Sequence, residues 1–350
     1  MYNGIIVINK ESGMSSHDVV YKLRKMTGQK KIGHMGTLDP QAQGVLPVCL
    51  GSGTKLSELF LNADKQYRAV LRLGITTDTQ DMTGKVLRES ESIPDADAMR
   101  RVIDSFVGQI RQIPPMYSAI KHQGKKLYQL ARKGVEIERE PRKVTIRAID
   151  VEQIDADRIT MRITCSKGTY IRTLCADIGE KAGCGGCMES LVRTRSGPFG
   201  IESALTTGRI GEKLAQFSET EEDAAKRSAF LSSLIIPPDR FFYAFPGYAT
   251  VPEDDYLLWN GNPLLIGDMT VHEDPSGKSA GDVPGDVPGT MMTDIPDTVP
   301  AQIPDTMITL PEEVRRDSIR MYDSKGQFWG LYVRANRKGL YKPWKMFPPM

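Results

Sequence analysis

The sequence predicts an α+β fold, with a mostly antiparallel mixed sheet flanked by helices. Three observations carry this reading. Several segments alternate apolar and polar residues with period two, as half-buried strands do. Others repeat apolar residues every three or four positions, as helices do. The two kinds are mixed without the regular strand–helix–strand alternation of a parallel sheet. The chain has 350 residues, 40% hydrophobic and 26% charged, which suits one large globular domain and a small one.

Taken in order, "SSHDVVYKLRKMTG" predicts a helix. Ser15 or Ser16 caps it, Val19, Val20, Leu23 and Met26 form its face, and Gly28 ends it. "QYRAVLRLG" predicts a strand with Tyr67, Ala69, Leu71 and Leu73 on one side and Arg68 and Arg72 on the other. "PDADAMRRVIDSFVG" predicts a helix opened by Pro94-Asp95 and closed by Gly108, with Met99, Val102, Ile103 and Phe106 inward. "KVTIRAIDVEQI" and "DRITMRITC" predict a hairpin, and "TYIRTLCADIGEKAG" a helix with Ile171, Leu174, Cys175 and Ile178 on one stripe. Beyond about Asp239 the composition changes. "FFYAFPGYATV" and "DSIRMYDSKGQFWGLYVRA" predict short strands with turns at Gly247 and at Lys325-Gly326. Between them, residues 276–311 repeat GDVP and IPD with a proline every few residues, a spacing that predicts a disordered acidic insertion. The expected division is therefore 1–238 and 239–350.

The net charge of +2 hides an uneven distribution. From Arg111 to Arg147 there are ten Lys or Arg against three Glu, and from Gly281 to Glu313 seven acids and no base. A basic segment of this kind is the footprint expected of a nucleic-acid contact. The N-terminal apolar run is too short for a signal peptide, and no stretch approaches the length of a membrane span. Five cysteines, an odd number, suit reduced thiols in the cytoplasm. "CGGC" at Cys184–Cys187 has the spacing of half a zinc site, but a second pair is missing, so the reading is a tight turn after a helix and no metal.

The stretch "KKIGHMGTLDPQAQGVLPVCLG", Lys30 to Gly51, places a single carboxylate, Asp39, among four glycines and two prolines. An aspartate in such a turn often does no more than bond its own backbone. A lone acid held rigidly can also do chemistry. Three further motifs accompany it: "DKQYRAVLRLGITTDTQDMTG", "QIPPMYSAIKHQGKKLYQLARKGVEIEREPRKV" and "CSKGTYIRTL". Together, and in this order, they resemble the TruB family, the tRNA pseudouridine synthases that isomerise uridine 55 in the T arm. The resemblance runs from Gly4 to about Gly200. The remainder resembles more weakly the PUA-like C-terminal module of bacterial members.

The resemblance implies a pseudouridine synthase core with a small β-rich PUA-like domain. Asp39 falls on the family's catalytic aspartate, Tyr67 on its active-site tyrosine, and Arg172 on the arginine that pairs with the acid and keeps it ionised. It implies that Tyr170 packs beneath the base, Leu191 supplies an apolar wall, and His34 fills the place of the flipped base. Lys10 matches a retained family lysine that we group with the RNA-binding residues, although Glu11 replaces the usual proline after it. The segment 112–145 matches an RNA-clamping thumb, with Lys121, Lys125, Lys126, Arg132 and Arg142 toward phosphates. The implied partner is tRNA, bound by a cytoplasmic monomer that needs no protein partner. Isomerisation transfers no electron, so no cofactor is expected. The alternatives are a synthase acting on another RNA and an RNA-folding chaperone. A phosphatase fits poorly, because the second nearby acid it would need is not evident.

Overall fold

The structure is a computed structural model. It describes all residues except 119, 132, 219, 273–309, 337 and 349–350, and leaves out the side chains of Lys121, His122, Lys126 and Asp268. The expected acidic insertion falls almost wholly outside the described residues. In chain order the strands are β1 (Gly4–Lys10), β2 (Ile32–His34), β3 (Gln43–Leu50), β4 (Lys65–Leu73), β5 (Ile75–Thr77), β6 (Val86–Glu89) and β7 (Gly108–Gln112). There follow β8 (Lys121–His122), β9 (Lys125–Lys126), β10 (Arg142–Asp155), β11 (Arg158–Cys165), β12 (Gly186–Ser196), β13 (Phe199–Gly200) and β14 (Ile235–Ile236). The last six are β15 (Gly247–Ala249), β16 (Leu264–Leu265), β17 (Thr270–Val271), β18 (Ser318–Tyr322), β19 (Phe328–Arg334) and β20 (Leu340–Met346). The helices are α1 (Ser16–Thr27), α2 (Ala96–Asp104), α3 (Leu127–Ala131), α4 (Ile171–Lys181), α5 (Thr207–Leu214), α6 (Glu221–Ser233), α7 (Asp255–Trp259) and α8 (Glu312–Arg316).

A ten-stranded sheet carries the molecule, in the order β14-β1-β3-β12-β4-β11-β10-β7, with β2 added to β3 and β13 to β12. Among the described residues its one parallel pair is β3–β12, near the centre; the rest pair antiparallel. The predicted mostly antiparallel sheet is therefore what forms. Its strands arise from the alternation read in the sequence: Ala69, Leu71 and Leu73 of β4 are buried, while Arg68 is exposed.

The helices follow their local signals. Ser15 caps α1 in a reciprocal box with Asp18, and Gly28 ends it at a left-handed φ of 67°. In α4 the stripe Ile171, Leu174, Cys175 and Ile178 is at most 3% exposed. Each of its aliphatic side chains contributes about 1.5–3 kcal/mol by leaving water. α2 ends at Asp104, short of Gly108, which instead opens β7. Phe241-Phe242, expected in a strand, lie in a short 3-10 turn, Pro238–Phe242, and Gly247 begins β15 rather than turning the chain. Both residues are buried aromatics at a joint, and tertiary packing outweighs β propensity there.

A second sheet of six strands, β16-β20-β19-β18-β15-β17, follows the first in sequence. The two share an aromatic core. Phe60 meets Phe199 at 5.4 Å and Phe241 at 5.3 Å, and Phe242 meets Phe347 at 5.7 Å. Lys345 Nζ reaches Glu58 Oε2 at 2.6 Å across the same joint. No helix among the described residues is long and apolar enough to cross a membrane.

Candidate active site

The loop between β2 and β3 carries Asp39, and the chain pins it on every side. Ser16 Oγ accepts from the Leu38 N–H at 2.9 Å. The Pro40 carbonyl accepts from the Gly13 N–H at 2.9 Å and from Lys10 Nζ at 3.0 Å. Arg193 donates to the Gly36 carbonyl at 3.1 Å. Leu38 and Ala42, on either side, are buried, while the Asp39 side chain remains 43% exposed. Two glycines make the geometry possible. Gly36 sits at φ 107°, and a Cβ on Gly44 would lie 2.2 Å from the Arg193 carbonyl oxygen.

Arg172 lies beneath Asp39, with its side chain 6% exposed. Its position on the first turn of α4 is held by Gln112, which accepts from the Tyr170 N–H at 3.1 Å and donates to the Tyr170 carbonyl at 3.2 Å. Arg172 Nε meets Asp39 Oδ2 at 3.1 Å. Its other nitrogens reach Asp81 Oδ2 at 3.5 Å, the Tyr117 carbonyl at 2.8 Å and the Thr79 carbonyl at 3.4 Å. The planar fork thus serves two carboxylates and two carbonyls at once. Asp81 corrects the expectation that no second acid is near. It lies in the turn after β5, and its other oxygen is held by Thr79 Oγ1 at 2.8 Å and the Thr83 N–H at 3.0 Å. Only the fold carries that turn to α4.

The electrostatics also differ from expectation. Burial in the cleft pushes the Asp39 carboxyl above its ordinary range, and Asp81 adds to this. Arg172 and Lys10 pull the other way without reversing it. The arginine therefore orients the acid, while desolvation raises its proton affinity. Lys10 needs a second correction. It is fully buried, and its Nζ donates to the carbonyls of Glu11, Met14 and Pro40. Burial brings its pKa down to about 8. An ammonium spent on three carbonyls holds the Asp39 loop and is out of reach of RNA. The turn forms despite Glu11, whose side chain accepts from Thr207 Oγ1 at 3.4 Å.

Tyr67 on β4 is half-buried beside the loop, and burial pushes its phenol upward. Tyr170, at the start of α4, is likewise half-buried, with its phenol raised by burial and sensing both Asp39 and Arg172. Leu191 on β12 is 9% exposed and packs in the main core. His34 lies at the end of β2, its Nδ1 buried without a partner among the described residues, and burial lowers its pKa so the ring is neutral. Asp39, Arg172, Tyr67, Tyr170 and Lys10 thus converge around one cleft. In the basic segment Lys125 and Arg142 are exposed; Arg132 and the side chains of Lys121 and Lys126 lie outside the described residues. The CGGC thiols turn apart, Cys184 Sγ to the Gly185 carbonyl at 3.3 Å and Cys187 Sγ to Met82 Sδ at 3.4 Å.

Sequence reading misses Arg193, Asp81 and Gln112. For Arg193 a signal existed: it stands two residues after Leu191 on β12 and so on the same strand face.

Comparisons with known proteins place the chain in a family. Residues 24–171 match the N-terminal domain of TruB family pseudouridylate synthases, and residues 172–242 match the tRNA pseudouridylate synthase B C-terminal domain. The tRNA pseudouridine synthase B of Lachnoclostridium phytofermentans is 41% identical over 353 residues, covering 99% of each chain. That of Alkaliphilus oremlandii is 54% identical over 204 residues, 58% of this chain and 68% of the relative. Among solved structures, a chain of a Cbf5–Nop10–Gar1 complex aligns over 99% of this chain and 85% of its own, with a TM-score of 0.60 at 24% identity. Fold and family models together define a pseudouridine synthase, an isomerase. Within that class, the chain belongs to the TruB family of pseudouridylate synthases.

Proposed function

We propose that this enzyme isomerises uridine 55 in the T arm of tRNA, acting alone as a cytoplasmic monomer without a cofactor. The observation that carries the chemistry is the ion pair of Asp39 with the buried Arg172 at 3.1 Å, presented by a loop pinned at Gly36, Leu38 and Pro40. The reaction breaks the bond from uracil N1 to the ribose, turns the base, and joins its C5 to the same carbon. C5 loses a proton and N1 gains one, so nothing is transferred overall. Asp39 is the nucleophile, partly exposed for attack and aimed by Arg172. Tyr67 stacks on the base, and its phenol carries the proton between C5 and N1. Tyr170 and Leu191 form the floor and wall of the base site.

The target must leave its stack to reach Asp39, at a cost of a few kcal/mol. A neutral His34 at the rim can stack where the base was. The exposed Lys125 and Arg142, with the other bases of 112–145, clamp the phosphates. Residues 1–238 form the catalytic unit and 239–350 a PUA-like module. The names of the full-length relatives support tRNA as the substrate. The test is to map pseudouridine in tRNA from cells with and without the gene. Loss at position 55 alone is expected. An unchanged tRNA with loss in another RNA would transfer the activity to that RNA.

A further inference from the structure

α4 begins without help from its own sequence. Its N-cap residue, Tyr170, offers no side-chain hydrogen bond to the first turn, in which Arg172 stands. Helix starts normally receive such a bond from Ser, Thr, Asp or Asn. Here the fixing comes from across the fold. Gln112, the last residue of β7 and 2% exposed, accepts from the Tyr170 N–H at 3.1 Å and donates to the Tyr170 carbonyl at 3.2 Å. One amide thus meets both polar groups of one residue, as a residue of a neighbouring strand would. The reversed amide would set donor against donor and acceptor against acceptor, so only this orientation satisfies both. The same carbonyl accepts from the Leu174 N–H at 3.0 Å, which closes the first turn of the helix.

The chain beyond Gln112 holds the side chain of that turn. Pro114 and Pro115 are buried, and each fixes its own φ. Tyr117 follows, and its carbonyl accepts from Arg172 Nη2 at 2.8 Å. The stretch from Gln112 to Tyr117 therefore grips the start of α4 twice, at the backbone of Tyr170 and at the guanidinium of Arg172. Its own origin is set by the sheet, where Gln112 pairs with Arg142 of β10.

We propose that Gln112 is a positioning residue for the isomerisation: its amide fixes the backbone at the start of α4 and so aims the Arg172 fork at Asp39 and seats Tyr170. The proposal rests on the roles of Asp39, Arg172 and Tyr170 given above. Gln112 carries no charge, so its effect on the site runs through the place it gives these two residues. The fork has little slack, since it meets Asp39 at 3.1 Å and Asp81 at 3.5 Å as well as the Tyr117 and Thr79 carbonyls. Besides Arg172, the charged groups bearing on Asp39 are Asp81, from the turn after β5, and Lys10, from β1. Neither lies on α4. A displaced α4 weakens the attraction of Arg172 and leaves the other two in place, so Asp39 binds its proton more tightly.

Two measurements test this. The first follows the Asp39 carboxyl carbon by NMR against pH in the RNA-free protein, with the resonance assigned by its loss in Asp39→Asn. Gln112→Met, of similar length and without the amide, is expected to raise that titration by about half a unit or more, part of the usual effect of a neighbouring opposite charge. The second is single-turnover isomerisation of a tRNA transcript. Gln112→Met is expected to slow it up to about 100-fold, the effect of a misplacement near 1 Å, with RNA affinity within a few-fold. In an Arg172→Lys background the further loss is expected to be only a few-fold, because the two residues act through one fork. An unmoved titration, or equal losses in both backgrounds, overturns the proposal and leaves Gln112 a helix cap that serves stability alone. A parent inactive on tRNA would sink the substrate reading by itself, and the titration would still judge Gln112. Should Gln112→Met melt below the assay temperature, Gln112→Asn, which keeps the amide one methylene short of Tyr170, is judged by the same two outcomes.

Discussion

The cleft and the basic segment use the same residue types to opposite ends. In the cleft, Lys10, Arg172 and Arg193 are at most 5% exposed, and their donors are spent on carbonyls or on Asp39 and Asp81. Between Gln112 and Val144, Lys125 on the two-residue β9 and Arg142 and Lys143 at the start of β10 stand exposed. A buried cation fixes the geometry of what it touches, and its removal leaves a partner uncompensated at about 3–5 kcal/mol. An exposed cation orients nothing, but it remains available to a polyanion and acts through salt-dependent neutralisation of phosphates. Placing chemistry and affinity in different dielectric settings lets each be altered separately. One atom joins the regions: the Tyr117 carbonyl, at the root of the basic segment, accepts from Arg172.

The sharpest break of this contrast is Asp39→Asn. It should abolish single-turnover isomerisation while RNA affinity stays within a few-fold; residual turnover near the parent rate would remove Asp39 from its role. Its stability has a definite sign. The folded pKa of Asp39 is raised, so its contribution is favourable below the unfolded pKa and is lost as pH rises through the folded value. At pH 7 the charge costs stability, so Asp39→Asn should melt at or above the parent there. The advantage should shrink as pH falls through the carboxylate range. The acid limb of the parent's rate should also lie above the ordinary carboxylate range. A variant melting lower at pH 7 would mean that the Arg172 pair outweighs burial.

Next in size is Arg172→Lys. The charge survives but the fork that spans Asp39, Asp81 and Tyr117 does not. A loss of about 2–3 kcal/mol in transition-state stabilisation, roughly 30- to 150-fold in rate, is expected with a smaller change in binding. Equal rates would show that the fork is dispensable. On the other side of the contrast, Lys125→Ala with Arg142→Ala should weaken RNA binding and reduce the salt slope by about two. A drop in rate at saturating RNA larger than the loss of affinity would place these residues in the chemistry. The smallest effect is expected from exhaustive EDTA treatment of the enzyme with folded tRNA: no change. Among the described residues no three His, Cys, Asp or Glu side chains gather as a metal site. Activity lost to EDTA and restored by zinc would return attention to Cys184 and Cys187.

What the sequence determined by itself is local or carried by motif. The caps of α1, the stripe of α4, the β10–β11 hairpin and the alternation of β4 all express side-chain period and turn chemistry within a dozen residues. The turn around Asp39 was legible because proline fixes its own φ and glycine alone readily enters the left-handed region that such a turn uses. The tertiary structure alone decided which charges are buried. Lys10 reads as one more basic residue until the chain folds three carbonyls onto its ammonium. Nothing local marks Asp81 until β5 and α4 bring it to Arg172, or Arg193 until β3 and β4 close on either side of β12. Desolvation is a property of everything within a few ångströms. Those neighbours come from distant parts of the chain, so the sign of the Asp39 shift and the task of each buried cation exist only in the folded molecule.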